Sequence, residues 1–204
     1  NTSTIISPSI AAKFTGIPSI YHIHEIPNSN LIYAKFITTF LNNFARDISC
    51  VSKSTIEFWI NVGLKKSKVK LIYNGFNFKN IKPKIVSDQR IIFTSISRII
   101  PYKGHIILIR IFDVLCKKND NIHLQIIGDT LPQYQEYLDK LKWEVKKRNL
   151  GNKIKFLAFR KDVKSILENS SFFIHTPKSA DPLPTVIFEA IESKTPVITN
   201  NLGG

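Results

Sequence analysis

"RIIFTSISRIIPYKGHIILIRIFDVLCKKNDNIHLQIIGD", residues 90–129, holds the pattern that sets the architecture. Residues 90–97 form an apolar, β-rich run, which closes in a loop holding Pro101 and Gly104. Residues 105–118 then continue for fourteen positions, long enough for a helix. Residues 122–129 return to a strand-like run that ends at Gly128-Asp129. Strand, helix and strand in this order need a crossover, and a crossover makes the strands parallel.

The alternation continues in both directions. Downstream, residues 133–149 carry Tyr134, Tyr137, Leu138, Leu141 and Val145 at the spacing of one helical face. Strands follow at 153–159, 171–176 and 195–200, with helices at 162–170 and 184–193. Asp162 stands where a helix N-cap would. Upstream, a helix ending at Gly16 precedes a strand that runs to residue 26. A helix at 30–47, a strand at 48–52, a helix at 52–63 capped by Ser52 or Ser54, and a strand at 69–77 entering a turn at Asn74-Gly75 complete that half. Residues 76–90 have no clear period and read as a link between two α/β halves, 1–88 and 89–204.

Composition bounds the function. The chain has 204 residues, 43% hydrophobic and 22% charged, and reads as globular. No apolar run approaches the roughly 18–20 residues of a membrane span. No signal-peptide pattern opens the sequence. The absence of Met, even at position 1, marks a trimmed chain or an internal piece of a longer one. Cys50 and Cys116 are isolated and read as reduced core thiols of a cytoplasmic protein. The 29 Lys and Arg residues outweigh 15 Asp and Glu, for a net charge of +14. Such an excess suits an anionic partner, whether nucleic acid, phosphate-bearing ligands or an acidic membrane surface, or else reflects composition alone. It is spread over both halves and forms no specific nucleic-acid signature.

Ligands of open parallel sheets sit beyond the carboxyl ends of the strands. The loop "SRIIPYKGH" (97–105) offers Arg98 and Lys103 there, a bidentate and a point cation suited to a diphosphate, or else two solvated surface residues. Gly128 permits close backbone approach at the next strand end. The loop "TPKSADPLPTVIFEA" (176–190) sets Pro184 and Thr185 at a helix N-terminus, where free N–H groups favour phosphate. Asp181 and Glu189 flank it, either as acceptors for sugar hydroxyls or as a loop cap and a dipole-complementing acid. His24 ends a strand in "YHIHEI", next in alternation to His22, as a structural or a catalytic group. No D-x-D, H-E-x-x-H or paired C-x-x-C pattern suggests a metal site, and no P-loop or G-x-S-x-G motif occurs.

Taken in series, "SRIIPYKGH", "IHLQIIGD" and "LGNKIKFLAFRKDVKSILENSSFFIHTPKSADPLPTVIFEAIESKTPVITNNLGG" resemble the carboxyl-terminal half of a group 1 glycosyltransferase, family GT4 with the GT-B fold. "GIPSIYHIHEI", "DISCVSKSTIEFW" and "VKLIYNGFN" match earlier landmarks of that family in order. The resemblance implies an α/β chain with two Rossmann-like domains and parallel sheets. Residues 1–88 would be a partial acceptor-side domain with a linker, and residues 89–204 a truncated nucleotide-sugar-binding domain. It implies retaining, metal-independent sugar transfer from a UDP- or GDP-linked donor, with no cofactor, to a surface or lipid-linked glycan.

In that reading Arg98 and Lys103 neutralise the donor diphosphate. The family's paired acids map onto Asp181 and Glu189, one by the donor sugar and one by the ribose. Leu183, Pro184 and Thr185 lie near the phosphates, and His24 near the reacting sugar. Asp181 departs from the usual Glu by one methylene. The implied setting is cytoplasmic, with peripheral contact at the inner membrane face. The rival classes are a sugar-nucleotide 2-epimerase of the same architecture and a non-catalytic glycan-assembly subunit.

Overall fold

The structure is a computed structural model that describes residues 2–27, 30–76 and 90–204. By contact these divide into two compact units. One comprises 2–76 with 179–184 and 202–204, the other 90–178 with 185–201. The link read at 76–90 lies, from 77 to 89, outside the described residues.

In the first unit, strands β1 (Ile20–Ile23), β2 (Asp47–Cys50) and β3 (Val69–Leu71) form a parallel sheet in the order β1-β2-β3. Helices α1 (Ser7–Phe14), α2 (Leu31–Phe44) and α3 (Lys53–Asn61) connect and flank them. Caps start the two later helices. The Asn30 side chain accepts from the Tyr33 N–H at 2.9 Å, and Ser52 Oγ accepts from the Thr55 N–H at 3.3 Å. Ile23, Ile37, Leu41, Ile48 and Trp59 form the buried core. Strand β3 stops at Leu71, and no turn forms at Asn74-Gly75. An Asn-Gly turn is favoured where it closes a hairpin, whereas β3 pairs in parallel.

In the second unit, β4 (Ile91–Ile96), β5 (Ile122–Ile127), β6 (Ile154–Leu157), β7 (Phe172–His175) and β8 (Val197–Thr199) form an all-parallel sheet in the order β6-β5-β4-β7-β8. Helices α4 (His105–Lys118), α5 (Gln135–Lys147), α6 (Val163–Glu168) and α7 (Thr185–Glu192) make the crossovers. Leu108, Ile109 and Phe112 of α4 pack with Leu141 and Val145 of α5 on Leu124 and Ile126. Leu167, Phe173 and Ala190 form a separate cluster. A sheet covered on both faces explains why its strands read as near-continuous apolar runs. The chain winds outward from β4 to β6, then returns to β7 on the other side of β4. The strand order therefore reverses between β4 and β7, and ligands of such sheets bind beyond the carboxyl ends at that point.

Asp162 occupies the N-cap position of α6 but does not cap it. Both carboxylate oxygens accept from the Arg160 guanidinium, at 2.8 and 2.7 Å. A charge-assisted bidentate pair displaces a single bond to a backbone N–H. The two thiols are free. Cys50 is buried, and burial pushes its pKa up to about 12, while Cys116 is only partly buried.

Candidate functional site

At the switch point of the second unit, backbone approach defines the geometry. The chain leaves β4 through Ser97 and Arg98, and the Ile99 N–H bonds to the Asp129 carbonyl at 2.9 Å. Thr130 Oγ1 donates to the Ile99 carbonyl at 2.8 Å. Gly128 has φ +140°, and a Cβ there would lie 2.1 Å from the Ser97 carbonyl oxygen. On the other side, Gly104 opens α4 with φ +75°, and a Cβ there would lie 1.9 Å from the Thr176 carbonyl oxygen. Only glycine permits both contacts, because every other residue carries that Cβ. The Lys178 N–H bonds to the Tyr102 carbonyl at 2.7 Å and joins the β4 exit to the β7 exit.

This frame carries an exposed Arg98 and a half-buried Lys103. The short 3-10 turn Pro101–Lys103 sets the interval between them. Two residues after Lys103, His105, the first residue of α4, is fully buried. Its Nε2 lies 3.1 Å from Ser97 Oγ. Burial lowers its pKa to about 4, aided by nearby Lys103 and His175 and opposed by the Ile100 carbonyl. The imidazole is thus neutral at pH 7 and adds no charge beside Lys103. Thr176 Oγ1 is buried with no hydrogen-bond partner among the described residues. It lies next to Gly104 and faces the start of α4.

Helix α7 starts at Thr185, so Pro184 stands just ahead of its first residue instead of within it. Thr185 and Glu189 are both exposed, one turn apart. Asp181, Leu183 and Pro184 are half-buried and group by contact with the first unit. Asp181 forms a parallel bridge with Gly203 there. In the same unit His24 directly follows β1. Its ring meets His22 edge-on, with centroids 4.5 Å apart. Burial, then His22, holds the His24 pKa below its ordinary value, while Glu25 opposes. His22 Nδ1 lies 2.7 Å from Ser49 Oγ. The Glu25 carboxylate accepts from the Ser3 N–H and Oγ, each at 3.2 Å, and from Thr2 Oγ1.

Arg98, Lys103, Gly128, Thr185 and Glu189 therefore belong to the second unit, on the segments leaving the carboxyl ends of β4, β5 and β7. His24, Asp181, Leu183 and Pro184 belong to the first. Sequence reasoning missed His105, Thr176, Gly203 and Gly204. Each lies at a strand exit or beside a named motif, but only tertiary contact distinguishes it from a surface residue. Among the described residues no group of three or more His, Cys, Asp or Glu side chains forms a metal-type donor set.

Two parallel sheets, one carrying a basic strand-exit loop at its switch point, define an α/β protein of the GT-B type. The crystal structure of Anabaena Alr3699/HepE in complex with UDP and glucose superposes over 100% of this chain and 58% of its own, at TM-score 0.87 and 27% identity. Residues 77–204 match the glycosyl transferases group 1 family, and the chain belongs to that family. The capsular polysaccharide biosynthesis glycosyltransferase CapH of Staphylococcus aureus is 26% identical over 169 residues, 82% of this chain and 46% of CapH. The phosphatidylinositol N-acetylglucosaminyltransferase GPI3 subunit of Saccharomyces cerevisiae is 22% identical over 208 residues, 95% of this chain and 44% of that subunit. The chain thus spans about half the length of the curated relatives it matches.

Proposed function

We propose that the protein transfers a sugar, with retention and without a metal or cofactor, from a UDP- or GDP-linked donor to a glycan or lipid-linked acceptor, as a GT4-type enzyme. The observation that carries this is the Arg98–Lys103 pair on a glycine-tightened loop at the switch point. That loop lies inside the span matched to the family. The solved relative with UDP and glucose supports the donor class.

In the proposed reaction the bond between the anomeric carbon and the diphosphate oxygen breaks, and its electron pair leaves with the nucleotide. Arg98 and Lys103 stabilise the charge that develops there, in place of a divalent ion. The acceptor hydroxyl oxygen bonds the anomeric carbon, and its proton passes to the departing diphosphate. The free N–H groups at the start of α7, with Leu183, Pro184 and Thr185, hold the phosphates. Gly128 lets the backbone approach the donor. Glu189 accepts from ribose hydroxyls and Asp181 from the donor sugar. His24 serves the reacting sugar as a hydrogen-bond partner. The same proposal places the protein in the cytoplasm, peripheral at the inner membrane face. No helix among the described residues is long and apolar enough to cross a membrane.

The test is calorimetry of UDP- and GDP-sugars binding to the full-length protein in the presence of a chelator. Arg98→Ala and Lys103→Ala should each weaken the preferred donor by about 1.5–3 kcal/mol, the range for a hydrogen bond to a charged group. Undiminished affinity in both variants would remove the clamp from the reading.

A further inference from the structure

The sequence ends in Gly203-Gly204, and the structure gives both residues a task. Gly203 forms a parallel bridge with Asp181, and the Gly204 N–H donates to the Asp181 carbonyl at 2.9 Å. Gly203 has φ +109°, and a Cβ there would lie 2.2 Å from the Asp181 carbonyl oxygen and 2.7 Å from its nitrogen. A Cβ on Gly204 would lie 1.9 Å from the Pro182 carbonyl oxygen and 2.3 Å from Ser52 Cβ. Ser52 is itself buried and caps α3. The two-residue strip therefore fits between the backbone of 181–182 and the first turn of α3. Any side chain on it would displace the segment that carries Asp181.

We propose that Gly203 and Gly204 are positioning residues for the Asp181 carboxylate. They clamp its backbone as a one-bridge extension of strand pairing and so fix where the side chain can project. The inference rests on the reading of Asp181 as the donor-sugar contact. It extends that reading by naming what holds the acid in place. The 2.2 Å that would separate an added Cβ from the Asp181 carbonyl oxygen is what gives the clamp its sensitivity. A single methyl group at Gly203 meets backbone on the other side, and backbone cannot rotate away as a side-chain tip can.

The experiment uses the full-length protein with UDP-glucose, UDP-N-acetylglucosamine and GDP-mannose as donor probes, and UDP and GDP as nucleotide probes. Gly203→Ala should slow release of the nucleotide from the preferred donor by about tenfold or more, while the affinity for the free nucleotide stays within about twofold. Gly204→Ala should behave alike. In an Asp181→Asn background, Gly203→Ala should add no further loss, because it acts through that carboxylate. Hydrogen exchange supplies a readout independent of turnover: Gly203→Ala should expose the Gly204 amide, now bonded to Asp181. Wild-type exchange and wild-type release in Gly203→Ala, or losses that multiply in the double variant, would overturn the clamp. Normal release in Asp181→Asn, with the Gly204 amide exposed by Gly203→Ala, would instead remove the role of Asp181 and leave the clamp standing.

Discussion

His105 shows how one buried side chain sets a pH limit. Its ring is fully buried at the start of α4, and its pKa falls to about 4 from an ordinary 6.5. Between those values the unfolded chain holds a proton that the folded chain does not. Stability therefore rises with pH across that window, is complete above about 6.5 and is lost as pH falls toward 4. The full linkage is about 3 kcal/mol. Urea unfolding at a series of pH values should show that slope in the wild type. His105→Asn should flatten it, and an unchanged slope would mean that the ring is solvated in solution.

At the scale of elements, Ser52 links a helix to the segment around Asp181. It caps α3 and lies against Gly204. Ser52→Ala should destabilise the fold by about 1 kcal/mol, the usual worth of an N-cap, visible as a lower urea midpoint with an unchanged slope. Most elements were legible because both sheets are parallel and their strands alternate with long helices. The run 105–118 coincides with α4, since Gly104 before it and Asn119 after it bound a strongly apolar face. Asp162 misled because Arg160, two residues away, offers its carboxylate a stronger partner than the helix does. Asn74-Gly75 misled because turn propensity says nothing about strand direction. That Arg98, Lys103 and Gly128 follow the carboxyl ends of β4 and β5 was legible from local pattern. The clamp on Asp181 was not, because it joins residues 181 and 203 through backbone that carries no side-chain signal.

At the scale of the whole molecule, 29 basic against 15 acidic residues give the protein a net +14 that no single cluster accounts for. Diffuse positive charge suits attraction to anionic phospholipid better than a shaped nucleic-acid groove. The full-length protein should co-sediment with vesicles that contain phosphatidylglycerol and release as salt rises from about 50 to about 500 mM, because screening shortens the reach of the charge. Retention at high salt would point to insertion instead of surface attraction.

The first unit is assembled from three stretches of chain, and two of them, 179–184 and 202–204, come from beyond the second unit's central strands. A gene fragment cut after codon 76 would thus express a piece lacking part of its own fold. Anyone dividing this protein for separate study would need a circular rearrangement or co-expressed segments. A knife placed between the sheets would not suffice.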